Sequence, residues 1–170
     1  MFEIPSDLNP ALAGLAWIRG RWEGTGYREW PGEEKIEFGV QIDFVDNGSD
    51  YLHYLAQMFT LDADGRPQAP LTIETGFWRA NPQAEVDVVM CSPEVYAEIW
   101  YGSLAPGRVD LTTDAVARSP QASVEYTAGR RLYGNVDGRL MYSFDRATTD
   151  QPLRPYMWAT LQRAPKDPLT

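Results

Sequence analysis

The 170-residue chain has one cysteine, Cys91, and one histidine, His53. A lone cysteine excludes an internal disulfide framework and any zinc or iron–sulfur site built on thiolates. A lone histidine excludes His–His metal pairs, and a Ser-His-Asp triad would have to be built around His53. Positive charge is also scarce, with 15 Lys and Arg against 24 Asp and Glu and a formal net charge of −9. That balance argues against a nucleic-acid partner, which needs a basic stripe to displace counterions; the only basic doublet is Arg130-Arg131. No run of about 18 apolar residues is present to span a bilayer, so no membrane partner is expected. The opening Met1-Phe2-Glu3-Ile4-Pro5 lacks the basic and apolar regions of a signal peptide, which makes a cytoplasmic location the expectation.

What is present is alternation. Ile36, Phe38, Val40, Ile42 and Phe44 interleave with Lys35, Glu37, Gly39, Gln41 and Asp43, the pattern of a half-buried strand. Val86-Val88-Met90, Val109-Leu111-Thr113, Val124-Tyr126 and Leu140-Tyr142-Phe144 repeat it, separated by turn signals at 46–49, 64–67, Asn81-Pro82, Pro106-Gly107 and Asp137-Gly138. One helix is predicted over Ala11–Ile18, with Asn9 as N-cap, Pro10 in the first position and Gly20 beyond its end. About ten strands with one short helix point to an all-β antiparallel sandwich or up-and-down barrel, and closure removes exposed sheet edges. We expect the barrel, as one domain over 1–163 followed by a tail over 164–170 that contains two prolines.

Gly20-Arg21-Trp22-Glu23-Gly24-Thr25-Gly26 opens the first strand. It reads as a tryptophan driven into the closed end of a barrel, with glycines where neighbouring strands crowd. The Gly-x-Trp opening resembles the calycin barrels, which include the fatty-acid-binding proteins, and the fuller motif resembles nitrobindin, a family of small haem-binding β-barrels. Two further stretches agree in order: Pro70-Leu71-Thr72-Ile73-Glu74-Thr75-Gly76-Phe77-Trp78-Arg79, and Pro152-Leu153-Arg154-Pro155-Tyr156 continuing to Leu161-Gln162-Arg163. The resemblance implies a calycin-like barrel, haem b as the family's cofactor, pairing of two copies as a homodimer, and an Arg131–Trp22 stack worth roughly 0.5–2 kcal/mol at the barrel base.

Against that pattern, the family's iron-ligating histidine on the last strand is Tyr156 here, and its histidine after Pro-Leu is Thr72. Its Tyr-Pro-Thr-Ile loop reads Trp30-Pro31-Gly32-Glu33. Two functions are therefore carried forward. The first is binding of a small apolar or planar ligand at a mouth formed by Trp30, Thr72 and Tyr156, with Trp158 and His53 as further site candidates and histidine-held haem lost. The second is a ferric haem protein with Tyr156 as axial ligand, Arg154 as the cation lowering its phenol pKa, and nitric oxide binding or peroxynitrite isomerisation as the activity that the resemblance implies. Strand alternation sends Met157 to the face opposite Tyr156. Cys91 is expected to be a buried small apolar residue and Glu74 to meet Arg79 across the wall.

Overall fold

Ten strands carry the alternation: β1 (Gly20–Arg28), β2 (Ile36–Val45), β3 (Leu52–Leu61), β4 (Pro67–Ala80), β5 (Glu85–Ser92), β6 (Tyr96–Ala105), β7 (Arg108–Arg118), β8 (Tyr126–Val136), β9 (Arg139–Thr148) and β10 (Arg154–Arg163). The computed structural model describes residues 6–165. Each strand pairs antiparallel with its neighbours in sequence, and β1 pairs with β10 to close the barrel. In β2 the predicted inward set Phe38, Val40, Ile42 and Phe44 is buried, because only one face of the strand meets the interior. The turns fall where the turn residues stand; Asp137 (φ 52°) and Gly138 (φ 78°) make the two-residue link between β8 and β9, whose left-handed backbone matches the twist of a hairpin.

The predicted helix is shorter than expected and of a different kind. Pro10–Leu15 is a 3-10 helix, capped by the Asn9 side chain, which accepts from the Ala11 N–H at 3.0 Å. Three residues per turn place Leu12 and Leu15 above one another, and both are fully buried against the barrel floor.

Trp22 fills the closed end as expected, 1% exposed, with its indole N–H donating to the Ile18 carbonyl at 2.7 Å. Its stacking partner differs from the expectation. Arg163 of β10, not Arg131, lies over the Trp22 ring at 4.2 Å and donates to the Trp17 carbonyl at 2.8 Å. Pairing of β1 with β10 puts Trp22 opposite Arg163, whereas Arg131 sits on β8, across the barrel. The glycines have a steric reason at the same seam. A Cβ on Gly24 would fall 2.1 Å from the Thr160 carbonyl oxygen, and one on Gly26 2.4 Å from that of Trp158. The tail begins later than expected, since the Ala164 N–H still donates to the Arg21 carbonyl at 2.9 Å; residues 166–170 lie outside the described set.

Candidate functional site

The inward phase of four strands carries charge. Arg131 of β8 is fully buried, and Glu74 of β4 and Glu98 of β6 are 6% and 1% exposed. The Arg131 guanidinium donates to both Glu74 oxygens, at 2.5 and 2.8 Å, and lies over the Phe144 ring at 4.2 Å and the Trp100 ring at 5.1 Å. The Tyr54 hydroxyl donates to the same Glu74 at 2.6 Å. This replaces the expected Glu74–Arg79 contact: Arg79 is exposed and pairs with Asp50 at 2.5 Å. Burial alone would raise the Glu74 pKa, but Arg131 overrides it and holds Glu74 below the ordinary carboxylate value. Tyr126 and Trp100 approach Glu98 without forming hydrogen bonds, and one Glu98 oxygen has no partner.

Glu98 has the opposite balance. Arg131 Nη2 is 4.0 Å away and already committed to Glu74, so burial dominates and pushes the Glu98 carboxyl up to about 7. A carboxyl with a raised folded-state pKa supplies stability below its unfolded value, near 4.5, and loses it as pH rises through about 7. Glu98→Gln should therefore match the wild type near pH 4 and exceed it at pH 8, by on the order of 2–3 kcal/mol. Urea melts at the two pH values measure this, and an equal difference at both would show that Glu98 does not titrate in the fold.

At the open end, β10 carries a bulge between Pro155 and Met157. The extra residue breaks the alternation, so Tyr156 and Met157 are both buried, each 6% exposed, where strict alternation would separate them. Together with Met58, Leu71, Thr72 and Tyr96 they line a recess with about 10 Å³ of free space, room for one water at most. Thr72 donates at 3.4 Å to Glu94 on the rim. Trp30, on the connection between β1 and β2, meets Tyr156 edge to face at 5.7 Å. Arg146 of β9 lies over both rings, 3.6 Å from Tyr156 and 4.3 Å from Trp30. Burial raises the Tyr156 phenol above its usual value, and Arg146 offsets only part of that.

Trp30, Thr72 and Tyr156 are thus brought to one end of the barrel, and the other candidates are not. His53 is on the outer wall, its Nε2 2.8 Å from the Thr75 hydroxyl and its ring 5.5 Å from Phe77. The inward phase of β3 is Leu52, Tyr54, Ala56 and Met58 instead. Trp158 is also on the outer wall, packed on Tyr27 at 6.0 Å and capped by Lys35 at 4.9 Å. Trp78 and Trp100 are core residues. Arg154 is exposed and donates to Gln151, so the cation beside Tyr156 is Arg146. Cys91 is exposed on the outer phase of β5, not buried. A reading of the Leu140-Tyr142-Phe144 alternation two residues further would have placed Arg146 inward; Glu98 carried the same signal between Tyr96 and Trp100. A larger recess, about 1030 Å³, is an open groove between the 3-10 helix and the 81–84 and 105–107 turns, lined by none of these groups.

Residues 11–163 match the family model for the THAP4-like, heme-binding beta-barrel domain. Over 164 residues the chain is 54% identical to a ferric nitrobindin-like protein of Cutibacterium acnes, covering 96% of this chain and 99% of that one. It is 41% identical over 162 residues to a peroxynitrite isomerase of a Nocardioides species, covering 95% and 98%. The crystal structure of Rv2717c from M. tuberculosis superposes with a TM-score of 0.82 at 30% identity, covering 93% of this chain and 99% of that one.

Proposed function

This chain belongs to the THAP4-like, heme-binding beta-barrel family, and from that premise we propose that its open end is a ligand site for a small, planar, largely apolar molecule, with histidine-held haem lost. The observation that carries this reading is the position of the single imidazole. His53 faces outward and is hydrogen-bonded to Thr75, so no imidazole reaches the interior. The donors that do face the open end fit haem poorly. Tyr156 would have to bind iron as a phenolate, yet burial favours its protonated form and Arg146 covers its ring. About 10 Å³ of space leaves no slot for a porphyrin.

A smaller flat molecule has a way in. Met58, Met157 and Leu71 bound the recess, and thioether side chains re-pack around an incoming group at low cost. Trp30 belongs to a connecting loop, not to a strand, so it offers a movable aromatic wall. The chain's own residues then bind and orient: Trp30 and Tyr156 by ring contact, Thr72 by its hydroxyl.

An absorbance titration of the purified protein with ferric haem tests the reading. The expected result is no saturable Soret shift at 1:1 stoichiometry, in the wild type and in Tyr156→Phe alike. Saturation with a high-spin phenolate-type spectrum that Tyr156→Phe abolishes would overturn it. That outcome would establish the alternative, a ferric haem protein with Tyr156 as axial ligand, and would direct attention to the isomerase activity named for the Nocardioides relative.

A further inference from the structure

Arg146 is 3% exposed on the inward phase of β9, two residues beyond Phe144. Arg131, equally enclosed, is satisfied by Glu74. Arg146 has no such partner. Among the described residues no carboxylate lies within ion-pair distance of it and none of its N–H groups donates to a protein acceptor; Nε is sealed from solvent as well. Its contacts are the rings of Trp30 and Tyr156, which offset part of the charge and supply no oxygen for its five in-plane donors. Three carboxylates at this end are engaged elsewhere: Glu33 with Arg28 at 3.5 Å, Glu94 with Thr72, and Glu125 with Thr149. An enclosed guanidinium without an acceptor is costly, and an anion is what relieves it.

We propose that Arg146 is the receptor for a small planar oxyanion of the carboxylate or nitrate class, held with its oxygens on the guanidinium and its plane against the Trp30–Tyr156 corner. This deepens the open-end reading and rests on it, adding a negative charge to the ligand. The guanidinium fork matches two oxygens of a planar anion, which a lysine cannot do. The Tyr156 hydroxyl, kept protonated by its burial, is available as a further donor. Entry requires displacement of Trp30 on its loop and leaves the strand ladder intact.

The test is calorimetric titration, with thermal melts alongside, using benzoate, its neutral counterpart benzamide, and nitrate. Wild-type protein is expected to bind benzoate saturably, at least tenfold more tightly than benzamide, and to melt higher in its presence. Arg146→Met should abolish the benzoate preference while melting no lower than the wild type without anion, since an unpaired buried charge has been removed. Arg146→Lys should retain weak binding. Saturable nitrate binding that Arg146→Met removes would identify the inorganic oxyanion as a ligand in its own right, and benzoate alone would identify the carboxylate class. Equal affinity for benzoate and benzamide overturns the role of Arg146 and leaves the open-end site standing; this comparison needs no variant to fold. Binding of none of the three overturns the open-end site too.

Discussion

Arg131→Met should cost about 3–5 kcal/mol of folding stability at neutral pH, the usual effect of removing one partner from a buried ion pair. Among the described residues, Arg131 is the only cation within ion-pair reach of Glu74 and Glu98, in the centre of the barrel. Its removal leaves Glu74 with the Tyr54 hydroxyl alone and Glu98 with no charged partner among the described residues. The pH dependence should change sign at Glu74. In the wild type its lowered pKa supplies stability above the unfolded value, lost as pH falls through the folded one. Without Arg131 burial dominates, the folded pKa rises, and the contribution is present only in acid. The variant should thus be most stable near pH 4 and lose stability as pH rises. Denaturant melts between pH 4 and 8 decide the matter, and a pH-independent loss would mean that packing, not charge, sets the cost. Adding Glu74→Leu and Glu98→Gln to Arg131→Met should recover most of the loss, because uncharged groups of similar shape replace the buried ions at little net cost.

Trp22→Ala should cost about 3–5 kcal/mol, the range for deleting a large buried aromatic side chain. The indole is 1% exposed, anchors the closed end through the Ile18 carbonyl, and carries the Arg163 guanidinium on its face. Trp22→Phe keeps most of the volume and loses the hydrogen bond, so about 1 kcal/mol of the loss should remain. Arg163→Met should destabilise the closed end and lose in the Trp22→Ala background the part of its effect carried by the stack, keeping the part carried by its bonds to the Trp17 and Arg19 carbonyls. Arg131→Met and Trp22→Ala should instead add independently. A double-mutant cycle in which Arg131, not Arg163, couples to Trp22 would contradict the packing described.

Local sequence carried most of the barrel. The alternation in 36–44 and 140–144 reports which face of a strand meets water, and Asp137-Gly138 reports a backbone conformation that few other pairs adopt. The motif from Gly20 to Gly26 announced a crowded seam with a buried tryptophan, and Trp30, Thr72 and Tyr156 were legible as one end of the structure through the family resemblance of the stretches that carry them. Other features depended on register and closure. On β3 both phases carry apolar side chains, so pairing with β2 and β4, not composition, turned Leu52 and Tyr54 inward and His53 out. The bulge at Pro155–Met157 reversed the expected phase of one residue and brought Met157 in beside Tyr156. Which guanidinium stacks on Trp22, and which carboxylate meets Arg131 from 57 residues away, follow from the stagger of ten strands around a closed ring. Solvent exposure along a strand is decided by nearest neighbours in the chain and so is written locally; the meeting of charges across an interior is decided by the geometry of closure, which no single segment contains.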